Sequence, residues 1–190
     1  MKPRLSLLLL LAALASCTTA QAPPAPREFI DETTANTVLV TGAPLVFARD
    51  RTDVAAHARD YLTLVGIEVD ISGKYQQFLL AYRWSTVDPR MSAPPPATAG
   101  ALTIIADGRT IELQPLPKLP VGLERGEPLL VPNHGAVVAH GYAVDVPLLR
   151  YLAGSRILVA RLPQEPLDLP LRLWEDGRGA LGNFVARAEP

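Results

Sequence analysis

Three side chains in one stretch of the chain have the chemistry of a metal or acid–base site: His134, His140 and Asp145. Imidazole and carboxylate groups bind transition metals, and a histidine oriented by a carboxylate acts as a general base. Strand residues five apart point to opposite faces, so His140 and Asp145 should diverge. Six extended residues separate His134 from His140 by about 20 Å unless a turn intervenes. A turn histidine and a strand histidine are therefore favoured over a site.

The carboxylate pairs carry a weaker signal. Glu68 and Asp70 project from one face of a predicted strand about 7 Å apart, a spacing that suits glycoside hydrolysis. Every pair of strand residues two positions apart shares that spacing, so a solvated polar face is the favoured interpretation. The other neighbouring carboxylates are Asp50 with Asp53 and Glu175 with Asp176.

Residues 177–182 match the G-x-G-x-x-G pattern of dinucleotide-binding turns. Such a site needs a further strand and an acidic residue about 20 positions later. Only eight residues follow Gly182. The pattern therefore indicates a glycine-rich turn into a C-terminal helix, and no cofactor is expected.

Aromatic residues near one another in a predicted strand are a further candidate for binding. Phe78, Tyr82 and Trp84 share one face of a predicted strand, where they form either a ligand platform or part of the core. The core is the favoured interpretation, because aromatic residues in a hairpin of this kind are more often buried.

The N-terminus has the pattern of an export signal. Residues 1–4 are basic, residues 5–14 are apolar, and the small residues Ala15 and Ser16 precede Cys17, the single cysteine of the chain. This order is typical of a secretory signal peptide. The apolar run is shorter than the roughly 20 residues that a lasting membrane span needs.

The four residues Leu14-Ala15-Ser16-Cys17 resemble the lipobox of bacterial lipoprotein precursors. The resemblance implies cleavage between Ser16 and Cys17, diacylglycerol on the Cys17 sulfur, and a fatty acid such as palmitate on its new amino group. It also implies recognition by the lipoprotein processing and sorting machinery. In this family, an aspartate directly after the cysteine favours retention at the inner membrane. Here that residue is Thr18, so the resemblance favours the periplasmic face of the outer membrane. The alternative is a secreted protein cut near Ala20 or Ala22.

Removal of residues 1–16 leaves 174 residues with 16 basic and 19 acidic side chains, a net charge of −3. This balance, without any basic run, argues against a surface for nucleic acid or for anionic lipid. With Cys17 acylated, no disulfide within the chain is possible. Residues 17–28, small and rich in proline, are expected to tether one β-rich globular domain over residues 29–190.

Alternating patterns predict the main strands. Residues 60–72 and 74–84 form a hairpin with one face buried and one partly wet. Asp107-Gly108 between two apolar runs predicts a second hairpin that sets Ile104 opposite Ile111. Residues 37–41 and 44–48 are predicted strands joined by a turn at Gly42-Ala43, and residues 129–131 are strand-like.

The second half of the chain predicts two helices. Asp145 caps a short helix that ends at Gly154, and residues 177–188 form a closing helix with Asp176 as its cap. The proline-rich residues 115–128 should run over the surface, and Pro170 should place its strand at a sheet edge. The expected fold is mainly β, an antiparallel sandwich or open barrel.

These observations favour a non-enzymatic envelope protein that binds or scaffolds a partner through sheet edges or loops. Two alternatives remain at this stage. One is an envelope hydrolase or metal protein that uses His134, His140 and Asp145. The other is an inhibitor or immunity-type lipoprotein that inserts a loop such as residues 88–100 into a partner's active site.

Overall fold

The computed structural model describes residues 22–87, 100–119, 123, 129–133, 137–163 and 169–188. This part of the chain folds into ten antiparallel strands and two helices, which confirms the predicted mainly-β class. The elements are β1 (Arg27–Ile30), β2 (Thr37–Val40), β3 (Leu45–Asp50), β4 (Arg59–Ile71), β5 (Lys74–Ser85), β6 (Leu102–Ala106), β7 (Arg109–Leu113), β8 (Val138–Val144), α1 (Val146–Gly154), β9 (Leu158–Arg161), β10 (Leu171–Glu175) and α2 (Arg178–Ala188).

The long hairpin of β4 and β5 is the centre of the sheet. Its register runs from Asp60 opposite Ser85 to Ile71 opposite Lys74, as the alternation predicts. Ser72 and Gly73 both have positive φ, which a two-residue type I′ turn requires. The second predicted hairpin, β6 and β7, is confirmed with the same turn chemistry at Asp107-Gly108.

Both faces of the central hairpin are buried, which corrects the expectation of a partly wet face. One face, with Leu62 and Leu64, belongs to a core shared with both helices and with β6, β7, β9 and β10. The other, with Val65 and Ile67, packs against Leu129 and against apolar side chains of the proline-rich segment, which are Leu116, Leu119 and Leu123. The described part of this segment, residues 115–119 and 123, therefore covers the sheet with its leucines instead of running freely over the surface. Residues 129–131 form no strand.

The predicted turn at Gly42-Ala43 is a break in one strand and does not reverse the chain. β2 and β3 both pair antiparallel with β4, β2 along residues 67–70 and β3 along residues 59–64. They therefore run in the same direction along one side of β4. On their other sides, the two strands pair with different partners. β2 pairs with β1, and β3 pairs with β10.

β10 is an internal strand, so the edge position predicted from Pro170 is wrong. It pairs with β3 on one side and with β9 on the other. Pro170 directly precedes β10, and its missing N–H therefore costs no ladder hydrogen bond. The path continues from β9 to β6 and β7, and the sheet does not close into a barrel.

The two predicted helices are present and pack against each other. In α2, the side chains of Leu181, Phe184, Val185 and Ala188 are buried, as their spacing predicts. Neither helix, in the part of the chain described, is long and apolar enough to span a bilayer. Residues before 29 also pack against the domain, because Pro23 and Glu28 form hydrogen bonds with α2.

Candidate functional site

His140 lies on β8, beside Ala81 of β5. Its Nε2 atom is buried and has no hydrogen-bond partner within the described residues. Burial, and to a lesser extent the charge of Arg83, lowers the pKa of His140 below its usual value. No described carboxylate bonds to the Nε2 atom, so on that side the ring is not half of a histidine–carboxylate pair.

Asp145 is the N-cap of α1. One of its carboxylate oxygens accepts a hydrogen bond of 2.8 Å from the backbone N–H of Leu148, and Pro147 lies in the first turn. The carboxylate thus pairs with a backbone N–H that the first turn of the helix leaves without a partner, as the sequence predicts. The structure gives it no role in orienting His140.

Replacement of Asp145 by alanine is therefore expected to destabilise the fold by about 1 kcal/mol, the typical cost of losing a cap. Urea unfolding measures this change. Asp145→Ser, which retains a capping oxygen, should recover most of the loss. A serine variant as unstable as the alanine variant would show that the carboxylate does more than cap.

The third member of the proposed set, His134, lies outside the described residues, as do Ser16, Cys17 and residues 88–99. Where the chain is described, no group of three or more histidine, cysteine, aspartate or glutamate side chains is arranged to hold a metal ion. The metal or hydrolase alternative thus gains no support from the placement of His140 and Asp145.

The neighbouring carboxylates have structural partners. Glu68 is buried and accepts a hydrogen bond of 2.7 Å from Gln77. Burial raises the pKa of Glu68, and the bond from Gln77 opposes part of that effect. Asp70 accepts from the N–H of Gly73 in the hairpin turn. The Glu68–Asp70 pair therefore serves the hairpin as two hydrogen-bond acceptors.

The glycine pattern at residues 177–182 leads into α2, and its first two glycines meet protein instead of an open phosphate site. A Cβ atom on Gly177 would lie 2.5 Å from the carbonyl carbon of Pro44, and one on Gly179 would lie 2.6 Å from Pro23. The Asp176 carboxylate accepts from the N–H of Arg178 at the start of the helix. A negative charge there disfavours a phosphate.

The aromatic residues divide between the core and the surface. Phe78 and Tyr82 are buried in the core on the face of the hairpin that holds Val65 and Ile67, as favoured from the sequence. Trp84 is only partly buried, and its ring stacks on Tyr61 of β4 with centroids 4.0 Å apart. Trp174 of β10 meets the edge of the Tyr61 ring at 6.5 Å. Both tryptophans of the chain thus lie in one surface group.

We call Arg59, Tyr61, Trp84 and Trp174 the aromatic cluster. The Arg59 guanidinium lies 4.5 Å from the centre of the Trp174 ring and also pairs with Asp50 at 2.8 Å. Trp84 is held by a hydrogen bond of 3.2 Å from its Nε1 to the Thr63 hydroxyl. Trp174 nevertheless remains 53% exposed. The cluster is a pre-ordered, solvent-facing group of large side chains.

A charged network fixes the strands beneath the cluster. Asp60 accepts hydrogen bonds from Arg49 at 2.7 Å, from Arg51 at 3.1 Å and from Ser85 at 2.7 Å. Burial raises the pKa of Asp60, but the bonds from Ser85, Arg49 and Arg51 outweigh it, and the net pKa lies below the usual value. The carboxylate therefore joins β3, β4 and β5 at the end of the sheet where the cluster lies.

Sequence reasoning identified only Trp84 of this cluster. The other members come from β4 and β10, which are separated by about a hundred residues and are brought together by β3. One signal was present in the sequence. Trp174 lies on the opposite phase to Leu171 and Leu173, which places a large aromatic residue on the outer face.

The chain matches no family model, no curated protein and no solved structure in the comparisons made.

Proposed function

We propose that this protein is a lipid-anchored envelope domain that binds a partner protein through the aromatic cluster and has no catalytic activity of its own. The lipobox-like residues supply the anchor through Cys17, on the periplasmic face of the outer membrane. The observation that carries the binding role is the exposed grouping of Trp174, Tyr61, Trp84 and Arg59 on one face of the sheet.

The composition of the cluster favours a protein partner. Tryptophan, tyrosine and arginine are the residues most enriched among those that carry the binding energy of protein interfaces. Ring stacking and the bond from Trp84 to Thr63 hold two of the rings before any partner arrives. Such pre-ordering lowers the entropy that binding must overcome.

The inhibitor alternative depends on residues 88–100, most of which lie outside the described chain. Trp174 lies outside that loop in the sequence. A variant altered only at Trp174 therefore distinguishes the two ideas, because a loop-based inhibitor would keep its affinity.

Replacement of Trp174 by alanine is expected to weaken partner binding about 30-fold, the effect of losing a residue worth about 2 kcal/mol. Partner capture from detergent-solubilised envelope, followed by titration of the captured protein, measures this. Tyr75→Ala is the matched control, since Tyr75 is also 53% exposed but lies at the hairpin tip. Equal retention of the partner by both variants would contradict the proposal.

A further inference from the structure

The first described residues are built into the domain. A Cβ atom on Gly42 would lie 2.6 Å from the carbonyl oxygen of Pro24, so glycine is needed for this close approach. Asn183 of α2 donates a hydrogen bond of 3.1 Å to the carbonyl oxygen of Pro23. The segment that follows Ala22 is thus held between α2 and the break in the β2–β3 strand.

The position of this segment limits the length of any tether. Five residues lead from Cys17 to Ala22, and fully extended they span at most about 17 Å. A tether over the whole of residues 17–28 would have reached about twice as far. Ala22 and Pro23 line a shallow depression together with Asp176 and Gly179, so the chain enters the domain at the N-terminal end of α2.

From this short reach we infer that the domain lies against the membrane that carries its lipid, on a face that we call the anchor face. The anchor face comprises Ala22, Pro23, Arg156, Ile157, Asp176 and Arg178. Its occupant is the phospholipid headgroup layer. This inference rests on the proposed acylation of Cys17 and adds to it the orientation of the domain.

The chemistry of the anchor face suits a headgroup layer. Ile157 is 65% exposed, and its neighbour Arg156 is exposed as well. Arg178 pairs with Asp176 and donates to the carbonyl oxygens of Ser155 and Arg156, which ties this loop to the start of α2. An apolar side chain beside an arginine inserts at a bilayer interface while the guanidinium group stays with the headgroups.

The orientation also specifies the kind of partner. Trp174 precedes Asp176 by two residues, so at most about 7 Å of chain separates their α-carbons. The aromatic cluster therefore lies near the anchor face along the chain, and the short tether keeps it close to the bilayer. Its partner is a protein that is itself embedded in or bound to the membrane, met at the bilayer surface.

Single-cysteine labelling of the full mature, lipidated protein tests this inference. Cys17 is the one cysteine of the chain, so once it is acylated an introduced cysteine is the only free thiol. Ile157→Cys reports on the anchor face. Ile30→Cys is the matched control, because Ile30 is 67% exposed but lies at the far end of β1 from the seated segment. Arg156→Cys provides a second site if the first variant folds poorly.

Each variant is labelled with an environment-sensitive fluorophore and reconstituted in vesicles of zwitterionic and anionic phospholipids that contain a headgroup nitroxide quencher. We expect blue-shifted emission and several-fold stronger quenching at 157 and 156 than at 30. Equal emission and quenching at all three sites would overturn the inference and leave the anchor intact. A maleimide that labels the unsubstituted protein after unfolding would instead show a free Cys17 thiol, and the proposed anchor itself would fail.

Discussion

Replacement of Gly177 by alanine is expected to destabilise the folded domain by about 3 kcal/mol, in the upper range for a side chain forced into a filled space. The added Cβ atom would lie 2.5 Å from the carbonyl carbon of Pro44 and closer still to its oxygen. Backbone cannot move aside as a flexible side chain can. Relief therefore requires α2 to shift away from the break between β2 and β3.

Gly182→Ala is the control for this prediction, since it places the same methyl group inside α2, five residues further along the chain. Nothing lies within 4 Å of a Cβ atom at Gly182. Alanine there should stabilise the fold by up to about 1 kcal/mol through its higher helix propensity. Urea unfolding of the two variants should give changes of opposite sign. If the two changes in unfolding free energy had the same sign, contact with Pro44 would not be the reason that residue 177 is glycine.

Replacement of Asp60 by asparagine is expected to cost about 3–5 kcal/mol, because Arg49 and Arg51 lose the buried carboxylate that they share. Asp60 accepts from Arg49 and Arg51, whose side chains are 7% and 12% exposed. The Asp60 charge also opposes the effect of burial on the pKa of Arg83. One substitution therefore disturbs three guanidinium groups.

The same carboxylate predicts an acid-dependent loss of stability. The pKa of Asp60 is lower in the folded state than its unfolded value of about 3.9, so ionised Asp60 stabilises the fold above that pH. This stabilisation is lost as the pH falls from about 4 through the folded pKa. Unfolding free energies measured between pH 7 and pH 2 should fall less steeply for Asp60→Asn than for the natural chain.

Asp53→Asn is the matched control for the Asp60 substitution. Asp53 also binds Arg51, but its side chain is 50% exposed, and solvent screens the pair. We expect only a small change in its unfolding free energy. A loss equal to that of Asp60→Asn would show that burial of the network contributes nothing.

Local signals in the sequence predicted the elements well. Alternation set the register of β4 and β5, and Asp-Gly set Ile104 opposite Ile111, because turn chemistry and side-chain phase act over a few residues. The cap at Asp145 and the buried stripe of α2 follow from equally short patterns. In each case the residues that determine the structure are neighbours in the chain.

Strand order and the aromatic cluster required long-range pairing that no local pattern specifies. Pro170 was compatible with an edge strand, yet β10 lies inside the sheet because the proline falls just before its first residue. Trp174 and Tyr61 meet only because β3 pairs with both β4 and β10. The sequence alone therefore groups Trp84 with Phe78 and Tyr82, which share its face of β5.

Photo-crosslinking from position 174 in intact host envelope tests the proposed binding role most directly. A photoreactive phenylalanine analogue replaces Trp174 in the full-length chain, and the same analogue at Tyr75 serves as control. We expect a discrete adduct with one membrane-associated protein from position 174, recovered with the membrane fraction, and none from position 75. No adduct from position 174 above that from position 75 would contradict recognition through the aromatic cluster.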